Sequence, residues 1–253
     1  SSAASDVYKR QPFSVAQYCN LAAETVADIA ARGKVPVLVG GTGLFIDSFI
    51  DHIQFAHVQT NPDLRRELLA KDGTELYRTL QQVDPTAAAE IHPNNKNRVV
   101  RALELYYAGI TKTAQNAASR REDSPYEALY FVLCYRDRQV LYDRINARVD
   151  AMLAAGLVEE ARQAYAACGP TARQAIGHKE LLPYLEGSEP LETAVERLKQ
   201  ETRRYAKRQI TWFKRRQGTV VLEPDTMDTE RLIAAATAQA EDFLYGKDKG
   251  KRA

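Results

Sequence analysis

The chain has 253 residues, of which 45% are hydrophobic and 27% are charged, and its formal net charge is +2. This composition is that of an ordinary globular protein, and no stretch approaches the roughly 20 apolar residues that a membrane-spanning helix needs. The three cysteines are far apart, without a CxxC pair or a histidine cluster, so they indicate neither a zinc site nor a disulfide framework and favour the reducing cytoplasm.

The chain begins with a polar leader, residues 1–11, that has no helical or strand period. Apolar residues then recur at helical spacing from Ser14 to Arg32. A short apolar run, Val35–Val39, predicts a buried strand that leads into Gly40-Gly41-Thr42-Gly43 and another apolar helix. This order is typical of a parallel α/β sheet, which binds ligands at the carboxyl ends of its strands.

The middle of the chain, residues 60–124, has helical patterns and no strand candidate. Asp84-Pro85 predicts the start of one helix, with an N-cap followed by proline at the first helical position. A second helix is predicted over Asn97–Tyr107, with Arg98 and Arg101 one turn apart on one face. We therefore predict an all-helical insertion here.

The second half of the chain returns to mixed structure. The patterns predict a strand over 129–135, helices over 138–155 and from 157 to about 167, a helix around Lys179, a helix over 191–216, a strand over 219–222 and a terminal helix ending near Tyr245. The predicted organisation is leader 1–11, core 12–59, helical insertion 60–124, core 125–245 and basic tail 246–253.

The helix near the end of the second core segment has an unusual density of positive charge. Residues 202–216, TRRYAKRQITWFKRR, contain seven Arg or Lys residues. Arg203 with Lys207, and Arg204 with Arg208, are one helical turn apart and would repel each other. The pattern therefore indicates either a salt-bridged structural helix or a polyanion-binding face, and the residues alone leave both open.

Three other segments hold candidate site residues, each with an ordinary structural alternative. The GGTG turn at 40–43 permits close approach of a ligand, or serves only as a tight turn. Arg148 lies one turn from Arg144; it either binds a diphosphate or pairs with Asp143 and Asp150 on the helix surface. In QAIGHKE, the glycine at 177 indicates a packing or ligand-approach requirement, and His178 is more readily a structural or nucleic-acid-facing residue than a catalytic base.

Taken together, these segments resemble one known family. The phrases that match, in this order, are VPVLVGGTGLFIDSFI, HPNNKNRVVRALELY, RINARVDAMLAAGLVEEAR, QAIGHKEL and ETRRYAKRQITWFKRR. They closely resemble the tRNA dimethylallyltransferases, also called tRNA isopentenyltransferases, from about Pro12 to Arg216. The resemblance implies a P-loop-NTPase-like α/β core with a helical insertion that binds the anticodon stem-loop.

The resemblance also implies an activity and its ligands. A dimethylallyl group passes from dimethylallyl diphosphate to N6 of adenosine 37 of tRNA, with Mg²⁺ as cofactor, in a cytoplasmic enzyme that we expect to be a monomer without membrane contact. Thr42 would contact the adenosine or the reacting centre, and Arg148 would hold the diphosphate. The remaining residues implied to contact tRNA are Arg65, Asn97, Arg98, Arg101, Gln174, Gly177, His178, Lys179, Arg203, Arg204, Lys207 and Arg208.

The sequence departs from the family pattern in three places. It contains neither the P-loop GPTxxGK[ST] nor the DSxQxY-like segment whose Asp is the family's expected general base, and His178 stands where the family usually has Tyr. We therefore expect this chain to be an inactive fragment, with most of the Mg²⁺ site outside it. The alternatives are a non-catalytic RNA-binding module and, from the strand-GGTG-helix unit, a relative of small-molecule P-loop kinases.

Overall fold

The structure, a computed structural model, describes residues 13–53, 61–119, 124–167, 173 and 175–246. The predicted leader, most of the predicted tail and Gln174 lie outside these residues. The helices are α1 Val15–Ala31, α2 Gly43–Ile50, α3 Pro62–Ala70, α4 Gly73–Val83, α5 Pro85–Glu90, α6 Lys96–Tyr107, α7 Lys112–Ser119, α8 Arg138–Ala154, α9 Leu157–Ala167, α10 His178–Leu185, α11 Leu191–Phe213 and α12 Thr229–Tyr245. The strands are β1 Phe131–Leu133 and β2 Val220–Leu222.

The chain divides into two compact units. One unit, called here the helical unit, comprises the described residues of 19–28 and 47–126. The other, the mixed unit, comprises those of 1–18, 29–46 and 127–253. The predicted insertion boundaries at 60 and 124 stay predictions.

The helical unit has helices whose starts are set by short polar side chains. Asn61 accepts hydrogen bonds from the Asp63 and Leu64 amides, and Asp72 caps α4 in the same way. Asp84 caps α5 with proline at the following position, as the sequence predicts. Such caps satisfy amides that have no partner within their own helix.

In the core of the helical unit, α5 and α6 pack on α4, and α3 packs on α6. Leu80, Val99, Val100 and Leu103 are fully buried there. Each buried aliphatic side chain of this size stabilises the fold by about 1.5–3 kcal/mol through removal from water. The described part of this unit contains helices and no strand, which agrees with the predicted strandless middle.

The mixed unit holds a parallel pair of strands and a group of helices. β1 pairs with β2 with Phe131 opposite Val220 and Leu133 opposite Leu222. Helices α8, α9, α10 and α11 pack together around buried residues that include Val149, Leu181 and Leu198. Beside the strands, Phe213 near the end of α11 packs with Val132 and Cys134.

The prediction of a buried strand over Val35–Val39 is wrong. The segment belongs to no helix or strand, and Val37 and Val39 are 79% and 89% exposed. Within the described residues β1 pairs only with β2, so this run has no neighbouring strand to complete a ladder. An apolar run becomes a buried strand only where such a partner exists, and the run itself does not encode it.

The described part of the chain has no helix that is both long enough and apolar enough to cross a bilayer. The small parallel sheet and the helices agree with the predicted α/β class. The P-loop-like architecture beyond this sheet stays a prediction.

Candidate nucleic-acid interface

The GGTG turn packs directly against the basic helix α11. Gln209 Nε2 donates a hydrogen bond to the Gly41 carbonyl oxygen at 2.9 Å. A Cβ atom at Gly43 would overlap the Trp212 ring, and one at Gly41 would overlap the Gln209 amide. The glycines of this turn therefore allow close approach, and the group that approaches is the protein's own helix.

Thr42 lies at the exposed tip of this turn. Its carbonyl oxygen accepts hydrogen bonds from the Phe45 and Ile46 amides, at 3.0 and 3.3 Å, which starts α2. The residue is exposed between two glycines that α11 side chains cover. Its hydroxyl is thus the one side-chain hydrogen-bonding group that the GGTG turn offers to a ligand.

The cations of α11 fall into two environments. Arg204, Lys207 and Arg208 are exposed. Arg204 pairs with Glu201 at 2.6 Å, and the Arg208 guanidinium lies 5.7 Å from the centre of the Tyr205 ring. These three residues lie within about 100° of one another around the helix, so they form one exposed basic face.

Arg203, in contrast, joins α11 to α8. Its Nη1 donates to Asn146 Oδ1 at 2.7 Å, and its guanidinium is 6.0 Å from the Tyr142 ring centre. One turn before it, Lys199 Nζ pairs with Asp150 Oδ1 at 2.8 Å. Arg203 thus has a structural role between α11 and α8, and polyanion binding by the exposed cations stays a prediction.

Arg148 is exposed on α8, and the carboxylates considered as its partners are engaged elsewhere. Asp150 pairs with Lys199, and Asp143 accepts a hydrogen bond from Gln139 Nε2 at 2.8 Å. No carboxylate among the described residues lies within ion-pair distance of Arg148. A guanidinium in this state is available to an anionic ligand.

Arg148 and the contact with Arg203 lie on different sides of α8. Asn146 faces α11 through Arg203, and Arg148 lies two positions further on, about 200° around the helix. Arg144, one turn before Arg148, lies near Tyr135 just after β1, with its guanidinium 5.8 Å from the ring centre. Arg148 therefore lies on the side of α8 away from the Arg203 contact.

The glycine at 177 is explained by backbone conformation. Gly177 is the N-cap of α10 with φ +105°, a value that non-glycine residues rarely adopt. Its amide donates to Glu180 Oε2 at 2.9 Å, and both residues are buried.

The two residues that follow Gly177 have different exposures. The His178 side chain is 12% exposed, with Nε2 3.6 Å from Glu160 Oε1 on α9, while Lys179 is exposed. Lys179 is therefore the more open of the two tRNA contacts predicted at the start of α10.

In the helical unit, the predicted tRNA contacts surround a buried carboxylate. Arg65 Nη1 donates to both oxygens of Glu104 at 3.1 and 2.9 Å, and Arg101 Nη1 lies 3.7 Å from Glu104 Oε2. Asn97 and Arg98 are exposed on the same helix. The structure thus brings Arg65 and Arg101 together, although they are far apart in the sequence.

The sequence analysis missed Glu104 and Lys112 in this group. Burial lowers the pKa of Lys112, and the positive charges of Arg101 and Arg98 lower it further, while the carboxylates of Glu90 and Asp84 act to raise it. Lys112 follows a helix break rather than a charged helical stripe, so no periodicity connects it to Arg101. The glutamate at 104 could have been found, since it is three residues from Arg101 inside an otherwise apolar helix face.

A Mg²⁺ ion prefers carboxylate oxygens, often with bound waters and substrate phosphates. Among the described residues no group of three or more His, Cys, Asp or Glu side chains is placed to hold a metal ion. The described residues therefore do not fit a protein-built Mg²⁺ site.

Comparison with known proteins identifies the family. The family model described as IPP transferase matches residues 6–216. A tRNA dimethylallyltransferase from Exiguobacterium sibiricum is 48% identical over 207 residues, which are 79% of this chain and 64% of that protein. The chain thus spans slightly less than two thirds of that relative's length.

Solved structures agree in fold. The full-length tRNA isopentenylpyrophosphate transferase from Bacillus halodurans is 35% identical with a TM-score of 0.65, over 96% of this chain and 78% of that one. A eukaryotic dimethylallyltransferase acting on tRNA is 28% identical with a TM-score of 0.73, over 93% of this chain and 63% of that one. The chain belongs to the IPP transferase family, and the resemblance drawn from its sequence phrases is confirmed.

Proposed function

We propose that this chain supplies RNA-binding and diphosphate-binding residues for the transfer of a dimethylallyl group from dimethylallyl diphosphate to N6 of adenosine 37 in the anticodon stem-loop of tRNA, and that the 253 residues alone do not catalyse the transfer. In this reaction the bond between the allylic carbon and the diphosphate oxygen breaks, and a bond from that carbon to N6 forms. The N6 proton is lost and diphosphate leaves. The names of the family relatives support this assignment, and we take the chain to act as a cytoplasmic monomer.

The observation that most supports this proposal is the contact between the GGTG turn and the basic helix. Gln209 and Trp212 hold the turn, and Arg204, Lys207 and Arg208 form an exposed basic face on the same helix. An RNA bound through its phosphates to this face would lie near Thr42, whose hydroxyl can contact a base. Taking a base out of its stack costs a few kcal/mol, so a strong phosphate contact is required.

Arg148 has the complementary role in the proposal. A guanidinium binds diphosphate oxygens through paired N–H donors, and its charge stabilises the negative charge that develops on the leaving group. Arg148 lies on the side of α8 away from Asn146 and Arg203, so the contact between α8 and α11 does not occupy it.

The experiment that tests the proposal is a prenyl-transfer assay with labelled dimethylallyl diphosphate and an anticodon stem-loop containing A37. The 253-residue chain is compared with the same chain extended by a family-type N-terminal segment that has the P-loop and the general-base Asp. We expect transfer in the extended chain and not in the 253-residue chain. A stem-loop with guanosine at position 37 is the control substrate, and it should accept no label.

A non-catalytic RNA-binding module is the second candidate. It is favoured by the exposed cations in both units, Arg98 in one and Arg204, Lys207 and Arg208 in the other. Such a module would bind the stem-loop with a salt slope of roughly −0.7 per phosphate contact, as expected for single strands, and its affinity would not respond to dimethylallyl diphosphate. Absence of transfer in both chains, with RNA binding retained, would favour it.

A further inference from the structure

The side-chain amide of Gln209, on the basic helix α11, lies against the backbone of the GGTG turn. We propose that Gln209 is a specificity-determining residue for the acceptor base. Its Nε2 fixes the amide to the turn, and its Oε1 accepts a hydrogen bond from the exocyclic amine of adenine. The inference rests on the proposed function, because that function supplies adenine as the acceptor base.

The hydrogen bond to Gly41 sets the orientation of the Gln209 amide. A backbone carbonyl oxygen can only accept, so the amide group that lies 2.9 Å from the Gly41 oxygen is the NH2 group. The oxygen and nitrogen of a glutamine amide are assigned from partners of this kind. Oε1 is therefore the other branch of the amide, and it can only accept a hydrogen bond.

The absence of a side chain at position 41 leaves room for this amide. A Cβ atom there would lie 2.0 Å from Nε2, 3.1 Å from Cδ and 3.6 Å from Oε1 of Gln209. The φ of Gly41 lies outside the left-handed region, so a turn of this shape does not by itself require glycine. The close approach of the Gln209 amide therefore explains this glycine.

The acceptor of this amide is open. Among the described residues no donor forms a hydrogen bond with Gln209 Oε1. The side chain is half-buried, and it contacts the residue that precedes the exposed Thr42. An amide already held at one end loses little further side-chain freedom when a ligand donor binds at the other. The turn thus offers an oriented acceptor close to the Thr42 hydroxyl.

Adenine fits an oriented acceptor of this kind, and guanine does not. Adenine has an NH2 group at N6, whereas guanine has the carbonyl oxygen O6 at the corresponding position, so Oε1 would face a second acceptor. The amine of adenine has two protons, and the proposed transfer removes one of them. The second proton stays available to Oε1 before and after the new bond to N6 forms.

Aromatic side chains lie one helical turn from Gln209 in both directions. Tyr205 is four residues before it and Trp212 is three residues after it, and side chains at these spacings are neighbours on a helix surface. Trp212 is 42% exposed. Bases taken out of the stack are recognised by stacking on aromatic rings together with hydrogen bonds to their edges. This part of α11 carries side chains for both kinds of contact.

A purely structural role for Gln209 makes a different prediction. If Gln209 only holds the turn, its loss lowers the affinity for every stem-loop by the same factor, whatever the base at position 37. If Oε1 accepts from the amine, the loss falls on the stem-loop that carries the amine. The ratio of affinities for adenine and for purine, which lacks only the amine, separates the two roles.

The test measures, by fluorescence anisotropy, how tightly the 253-residue chain binds two labelled anticodon stem-loops, one with adenosine and one with purine riboside at position 37. One variant is Gln209→Met, which keeps the length of the side chain and removes the amide. A second is Gly41→Ala, whose methyl group overlaps the amide and displaces it. Gln200→Met is the matched control, because Gln200 is an exposed glutamine of the same helix.

We expect the wild-type chain to bind the adenosine stem-loop about three- to tenfold more tightly than the purine stem-loop, as one hydrogen bond contributes. In Gln209→Met and in Gly41→Ala this ratio should fall to about 1, and Gln200→Met should keep the wild-type ratio. Trp212 is the only tryptophan, so its unchanged fluorescence establishes that Gln209→Met leaves the turn packed on α11.

Equal binding of the two stem-loops by the wild-type chain would overturn the proposal. A ratio in Gln209→Met equal to that of the wild type would do the same. In both cases the chain still binds RNA and the proposed function stands. If the wild-type chain binds neither stem-loop, the proposed function fails together with this inference. Should Gln209→Met not fold, the wild-type ratio and the Gly41→Ala variant decide the question.

Discussion

Arg203 and Arg208 are five residues apart on α11, and their side chains have different surroundings. Arg203 bonds to Asn146 on α8, whereas Arg208 is exposed beside Tyr205. A charged side chain that holds two helices together contributes to stability, and one on an open basic face is available to a ligand without a role in packing. The two residues are therefore expected to respond differently to the same substitution.

We predict that Arg208→Gln weakens stem-loop binding and lowers the magnitude of the salt slope by about 1, with little change in thermal stability. Arg203→Gln should instead destabilise the fold by about 1 kcal/mol, because it removes a partly buried hydrogen bond between α11 and α8. Thermal unfolding and anisotropy, measured on the same preparations, separate the effects. Equal loss of RNA affinity in both variants would contradict this division.

Arg148→Gln should affect the prenyl donor and not the RNA. Its guanidinium has no described carboxylate partner and faces away from the Arg203 contact, so its removal leaves the packing of α8 on α11 intact. In the extended, active chain we predict a raised KM for dimethylallyl diphosphate and unchanged stem-loop affinity. Arg144→Gln, one turn away, is the matched control.

Asp84 gives a pH-dependent stability prediction. Burial acts to raise its pKa, but hydrogen bonds from Thr113, Ala87 and Lys112 outweigh this, and the pKa is lowered overall. A carboxyl group with a lowered pKa stabilises the fold above its unfolded pKa, and this contribution is lost as the pH falls through the folded pKa.

Asp84→Asn should therefore reduce the free energy of unfolding by about 1–3 kcal/mol at neutral pH, and the gap to the wild type should narrow as the pH falls below about 4. Urea unfolding of both proteins at several pH values measures this difference in the free energy of unfolding. Thr113→Val removes a hydrogen-bond donor to the same carboxylate. It should reduce the free energy of unfolding by less than Asp84→Asn does, and this loss should also shrink as the pH falls. A gap that does not vary with pH would show that the charge of Asp84 has no role.

At the scale of elements, local patterns predicted most helices, and tertiary packing decided the remainder. The helix after Asp84-Pro85, the break at Gly156 and the long basic helix are confirmed, because caps, glycines and apolar periodicity act within a few residues. The Val35–Val39 strand was wrong, because a strand depends on partners that a local pattern does not contain.

Residues of the candidate site could likewise be predicted where they are neighbours in the sequence, and not where tertiary packing brings them together. The basic residues of α11 were found from composition, since they are adjacent in sequence. The Arg65–Glu104 pair arises from packing of separate helices, and no spacing rule links the two residues. The split of α11 into a structural and an exposed set could not be read from the sequence, because it depends on where α8 packs.

The contact between Gly43 and Trp212 gives a prediction for this element pair. A methyl group at position 43 would overlap the indole ring, so Gly43→Ala should displace Trp212 and cost about 1–3 kcal/mol. Trp212 is the only tryptophan in the chain, so its fluorescence reports this contact directly. We expect a shifted emission maximum. The control is Gly73→Ala, where the added methyl group meets no neighbouring atom.

At the scale of the whole molecule, we predict that the exposed run at Val35–Val39 promotes aggregation of the 253-residue chain at high concentration. Three valines of this run are 56%, 79% and 89% exposed, and the backbone has no described ladder partner. Extended apolar segments of this kind pair with other chains. We predict that Val37→Lys lowers the concentration-dependent light scattering of the 253-residue chain.

The control for this prediction places the same charge on a helix surface. Ile233→Lys on α12 changes a side chain that is 58% exposed, but the helix satisfies its own backbone hydrogen bonds. If both lysine variants reduced scattering equally, general charge repulsion would explain the effect and the exposed run would not be its cause.

Helix α11 is unbroken over 23 residues, a length of about 35 Å. Its first half is anchored in the core through Ala194 and Leu198, its middle presents the exposed cations, and its end holds the GGTG turn through Trp212. A continuous helix resists compression along its axis, so it acts as a strut. A ligand bound to the exposed cations would therefore stay at a nearly fixed distance from the GGTG turn, because both are attached to the same helix.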